Sequence, residues 1–131
     1  MNSLFQALKG AKGLGSGHNG THHFIVQRGT AIMLIPLALY FCYAVVALVG
    51  CDNYQEVIHW FANPINSGLA ASLVCIGFYH GALGMQVIIE DYVHHHLLNW
   101  LCLTVVKGGC FICALVALIA IIKLSVLGFI A

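Results

Sequence analysis

Three long apolar runs joined by short polar links make up most of this chain. The first extends from about Ala31 to Val49 and the second from about Pro64 to Ile89; the third starts at Leu97 and continues to the end, with Lys107 and Lys123 inside it. Each reaches the roughly 20 residues a helix needs to cross the hydrocarbon core of a bilayer. The links leave no room for an extramembrane domain. The pattern therefore predicts an all-α membrane protein with three transmembrane helices, at about 24–50, 64–91 and 97–128, preceded by a flexible lead over residues 1–20. Residues 21–131 form a single transmembrane domain. Asn63-Pro64 is a break-and-start signal ahead of the second span. Pro36 removes one backbone donor from the first span and predicts a kink there.

Composition agrees. The chain has 131 residues, of which 61% are hydrophobic and 7% charged, whereas soluble domains carry about 25% charged residues. A formal net charge of +1 without clustered Lys and Arg excludes nucleic acid as a partner. Six cysteines occur, five of them within the expected spans, where they read as small packing residues. The pair Cys110 and Cys113 has CxxC spacing, but it sits in an apolar helix that offers no redox turn.

Lys9, Lys12 and Arg28 precede the first span, while the link from Cys51 to Asn63 carries Asp52 and Glu56 and no Lys or Arg. This bias puts the N-terminus inside and the C-terminus outside. The lead lacks both the apolar core of a secretory signal and an Arg- and Ser-rich transit segment, which favours a bacterial inner membrane over a mitochondrial one. The link itself, with Tyr54, His59 and Trp60, reads as an outer surface segment with aromatic anchors.

The stretch richest in chemistry closes the second run, from Gly77 to Tyr92. On an ideal helix His80 and Asp91 lie about 16.5 Å apart along the axis and about 20° apart around it. Gly77, Gly81 and Gly84 share that face and make it shallow. Two readings stand side by side: a GxxxG-like helix contact with His80 bonded to a neighbouring helix, or a site where a planar cofactor approaches an intramembrane imidazole. Asp91 and Tyr92, at the membrane boundary, are a carboxylate and a phenol suited to holding and protonating a quinone; the alternative is a polar helix end with a belt tyrosine.

His22, His23 and Arg28 lie just ahead of the first span. Arg28 either snorkels to the headgroups or offers a fork of donors to a carboxylate, with His22 in its neighbourhood. His94, His95 and His96 diverge by about 100° per residue on a helix and cannot converge on one ion, so they read as a polar turn. Lys107 lies either near mid-bilayer or, with a later helix start, closer to the inner interface.

Two of these stretches, His22-His-Phe-Ile-Val-Gln-Arg28 with Thr30-Ala-Ile ahead of the first span, and His80-Gly-x-x-Gly-Met closing on Asp91-Tyr92, resemble the small cytochrome b membrane anchor (D) subunit of succinate dehydrogenase, respiratory complex II. The likeness covers roughly Gly20 to Val93. It implies a role for His80 as an axial ligand to haem b, with the second axial histidine from a partner anchor subunit. It also implies places for Arg28 and His22 near the haem propionates, and for Tyr92 and Asp91 at the ubiquinone. The implied partners are a second cytochrome b anchor that packs with these spans into a larger bundle, an iron-sulfur subunit and a flavoprotein subunit. Such a chain would have no catalysis of its own. The rival expectations are a cofactor-free structural anchor, the anchor of a related fumarate reductase and, from another class, a small transporter subunit.

Overall fold

The computed structural model describes residues 15–50 and 53–130, with side chains from Gly20 onward. All regular structure among the described residues is helical. The elements are α1 (Gly15–Val49), α2 (Tyr54–Ala62), α3 (Pro64–Tyr92) and α4 (His96–Ile130). Three of them, α1, α3 and α4, are long and apolar enough to span a bilayer, as the pattern of runs predicts. Helix α1 begins several residues before the expected start and continues through Pro36. Residues 1–14, most of the expected lead, lie outside the described residues.

The second span starts where the sequence places it. Asn63 caps α3 through its side-chain oxygen, which accepts from the Ile65 N–H at 3.0 Å, and Pro64 occupies the first turn, where no backbone donor is needed. The histidine run is the turn between α3 and α4, with His94 and His95 outside both helices and all three histidines exposed. Asn99 closes this turn from the far side. Its Nδ2 donates to the Val93 carbonyl at 3.0 Å and reaches, at 3.4 Å, the Ile89 carbonyl that already accepts from the Val93 N–H at 2.9 Å, so a side chain of α4 caps the end of α3.

The link expected as an outer surface segment contains a short helix. Asn53 caps α2 by accepting from the Gln55 N–H at 3.1 Å. The helix then lays Ile58 inward, 4% exposed, and stacks Trp60 on Tyr40 of α1 with ring centroids 6.4 Å apart. It also meets the far end of α4 at Gly128. A Cβ on that glycine would stand 2.6 Å from the Ile58 carbonyl oxygen and 2.7 Å from the Ala62 Cβ, so only glycine lets the two backbones approach this closely.

Helix α3 packs against both α1 and α4 and is the central span. The buried apolar residues among those described are Ala44, Ile58, Ala70 and Ile89. Three spans side by side bury little of one another. In a bilayer that costs nothing, since lipid is as apolar as leucine and helices associate through close packing and hydrogen bonds.

Candidate functional site

The seam between α1 and α3 holds the polar side chains that meet inside the membrane region. A Cβ on Gly84 would lie 3.8 Å from Gln27 Nε2 and one on Gly77 3.9 Å from Leu34 Cδ2, with His80 and Thr30 paired between them. The two helices therefore run antiparallel in a fixed register. Thr30 Oγ1 and His80 Nδ1 are 2.8 Å apart, and the same Oγ1 lies 3.0 Å from the Val26 carbonyl and 2.9 Å from the Gln27 carbonyl. Farther along, Tyr40 donates its hydroxyl proton to Asn66 Oδ1 at 2.6 Å, and Asn66 Nδ2 donates to the Trp60 carbonyl at 3.0 Å.

His80 is thus half-buried and bonded to a neighbouring helix, with Gly77 and Gly84 on the same side toward α1. Both glycines sit at ordinary van der Waals range, so this seam does not require the absence of a side chain. Gly81 differs: it is exposed, and a Cβ there would meet nothing within 4 Å. Space is open at Gly81, the residue after His80, and occupied by α1 opposite Gly77 and Gly84. The seam engages His80 through Nδ1.

Asp91 and Tyr92 stand at the last turn of α3, both exposed, about 16.5 and 18 Å along the axis from His80. They are not brought into contact with His80; the helix sets them at a different depth. His22 and Arg28 are not brought together either. His22 lines a cleft of about 570 Å³ between α1 and the end of α3, shared with His23, Gln86 and Glu90, and Arg28 is not among its lining residues. The Arg28 guanidinium instead sits 5.3 Å from the centroid of the Phe24 ring, one turn back on its own helix. Six residues on a helix make a rotation of about 240°, which explains why the pair diverges.

Several residues in this region were given no role by sequence reasoning. Thr30 is the partner of His80. Gln86 donates to Glu90 Oε1 at 2.7 Å across one turn, and the buried Nε2 of His23 has no hydrogen-bond partner. A Thr spaced to bond its own helix at i−3 and i−4 while facing an intramembrane His would have been the clue, but it needs the helix pairing to be known first.

Between α3 and α4, Lys107 and Gln86, the latter also lining the cleft with α1, stand at one end of an apolar groove of about 500 Å³ that runs toward Cys75 and Leu118. Lys107 and Lys123 are both exposed and about 24 Å apart along α4, close to the thickness of a hydrocarbon core. With each ammonium snorkelling outward, neither has to reside at mid-bilayer. The histidine run forms no metal cluster, and no group of three metal-ligating side chains occurs among the described residues. Cys110 and Cys113 are free thiols, as are Cys42, Cys75 and Cys102.

Comparison with known proteins matches residues 4–122 to the model of a family described as succinate dehydrogenase/fumarate reductase transmembrane subunit. Among individual relatives, a succinate dehydrogenase hydrophobic membrane anchor subunit of Rickettsia typhi is 31% identical over 112 residues, covering 85% of this chain and 88% of the relative. The subunit of the same name from Rickettsia bellii is 40% identical over 84 residues, 63% of this chain and 66% of the relative. That of Paracoccus denitrificans is 31% identical over 84 residues, 64% of each.

Proposed function

We propose a function from a fixed premise: this chain belongs to the family of succinate dehydrogenase/fumarate reductase transmembrane subunits. In this reading it is a hydrophobic membrane anchor of succinate dehydrogenase. It holds haem b through His80, with the second axial imidazole supplied by a partner anchor subunit, and contributes Tyr92 and Asp91 to a ubiquinone site. The observation that carries the reading is the state of His80, a half-buried imidazole in a span with Nδ1 against Thr30 and open space beside Gly81.

The residues present fit the group. An imidazole whose Nδ1 is occupied by a hydroxyl offers Nε2 as its single ligand atom. In this reading His80 supplies one such nitrogen, and a second imidazole would come from the partner anchor subunit. When bound, a bis-imidazole haem supplies one-electron storage within the bilayer. Arg28 and His22, on different faces of α1, are assigned to separate propionate contacts rather than to one shared fork. Tyr92 donates its phenolic proton to a quinone carbonyl, and Asp91 beside it orients a cation of the partner or passes a proton. In this reading the Tyr92 end of α3 lies on the inner face of a bacterial cytoplasmic membrane, which the excess of Lys and Arg before the first span supports. An iron-sulfur subunit, fed by a flavoprotein that oxidises succinate, would deliver electrons on that face.

The test is a reduced-minus-oxidised optical spectrum of the complex purified with all its subunits. His80→Leu is expected to abolish the b-type band or displace it strongly, and an unchanged band would remove His80 from the iron. Tyr92→Phe is expected to lower quinone reduction about tenfold, the kinetic equivalent of one hydrogen bond near 1.4 kcal/mol, while succinate oxidation with an artificial acceptor persists. Equal loss of both activities would assign Tyr92 to assembly. The second reading, an anchor without cofactor, has its own observation, since the Thr30 contact by itself satisfies one polar atom of His80 in the membrane. Quinone reduction in a complex with no b-type band would select it.

A further inference from the structure

Resting on the haem reading above, we propose that Thr30 is a positioning residue for His80. Its hydroxyl accepts the Nδ1 proton, fixes the tautomer whose Nε2 bears the lone pair, and sets the plane of the ring. Proton counting decides the direction of this bond. Thr30 Oγ1 has one proton and three neighbours in range: the Val26 carbonyl at 3.0 Å, the Gln27 carbonyl at 2.9 Å and His80 Nδ1 at 2.8 Å. Were the proton given to Nδ1, Oγ1 would face two carbonyl oxygens at those distances with nothing between the lone pairs. Donation back along its own helix is the ordinary habit of threonine and removes that repulsion. The remaining lone pairs of Oγ1 then require a donor, which only a protonated Nδ1 supplies.

The neutral ring with its proton on Nδ1 is the form that ligates through Nε2. An acceptor on the far nitrogen also raises the basicity of the ligand and holds its orientation. Thr30 suits this task because its branched Cβ restricts χ1 and its hydroxyl is tied to the preceding turn. Gln27 opposite Gly84 and Leu34 opposite Gly77 hold the register one turn to either side.

The experiment compares Thr30→Val, which keeps the shape and removes the hydroxyl, with Thr30→Ser, which keeps the hydroxyl, in the complete complex. For Thr30→Val we expect haem affinity to fall about 10- to 100-fold, the usual cost of losing such a partner. The band of the haem that remains should be altered, and its midpoint potential should rise as the ligand becomes less basic. Thr30→Ser should restore all three. A Thr30→Val complex with wild-type haem content, spectrum and potential would overturn the proposal while leaving haem ligation by His80 intact. A wild-type complex without a b-type band, or a His80→Leu complex that keeps it, would instead overturn the haem reading and this one with it. If Thr30→Val does not assemble, Thr30→Ala is read by the same criteria. Failure of both, with Thr30→Ser assembling, would assign the hydroxyl to helix packing and overturn the positioning role.

Discussion

The two flanks of α3 are held by different physics. Toward α1, polar atoms meet across the seam, Thr30 with His80 and Tyr40 with Asn66, while the glycines sit at relaxed distances from their neighbours. Toward α4, the groove is lined mostly by apolar side chains, with Gln86 and Lys107 at one end, and the hairpin is tied by Asn99 at its turn. At the other end of α4, α2 is pressed against Gly128. The first flank specifies which atoms face each other; beyond the second, close backbone approach occurs where α2 meets α4 at Gly128. Intramembrane polar groups are costly and are kept where they have a partner or a task. Their concentration on the α1 flank is why chemistry is sought there and mechanical closure on the other.

The contrast breaks most readily at Gly128. Gly128→Val would put a branched side chain where a single Cβ already comes within 2.6 Å of the Ile58 carbonyl, a backbone atom that cannot rotate away. The expected cost is about 1–3 kcal/mol from overpacking, expressed as separation of α2 from α4. Thermal denaturation of the detergent-solubilised complex measures it, with Gly77→Ala as the matched change on the other flank. A Cβ at Gly77 meets Leu34 at 3.9 Å, so that variant should remain close to wild type. Equal loss at the two glycines would show that close approach is not confined to the α4 flank.

The three spans were legible because length and apolarity alone decide them. Helix α2 was not, because its short stretch mixes charged and aromatic residues within a link whose length suggested only a loop. A sign of it was present, an Asn53 cap followed three residues later by Glu56. That His80 would need a partner was legible from its burial in an apolar run, and a neighbouring helix was among the readings. That the partner is Thr30 was not, since it depends on how two distant segments align. The proximity expected for His22 and Arg28 was argued from closeness in sequence, whereas on α1 the angle around the helix decides. The argument from angle does not carry over to His94–His96, because His94 and His95 lie in the turn outside both helices. The glycine face was read as one surface. In the fold it divides into a side filled by α1, at Gly77 and Gly84, and an open position at Gly81.

The smallest effect sharpens the comparison further. Tyr40→Phe removes only the proton that Tyr40 gives to Asn66 Oδ1 at 2.6 Å, and the Asn66 amide keeps its bond to the Trp60 carbonyl at 3.0 Å. Hydrogen bonds between membrane helices average about 0.6 kcal/mol, because the separated helices find other partners. A loss of that order is expected in thermal denaturation, below the cost at Gly128. Asn66→Ala should cost more, since it strips both bonds and leaves the Trp60 carbonyl without this donor. Adding Tyr40→Phe to Asn66→Ala should then change nothing further, because the pair acts through one contact. If the two losses add instead, Tyr40 contributes through its stacking on Trp60 rather than through Asn66, and the α1 flank is held at this end by packing, as the α4 flank is.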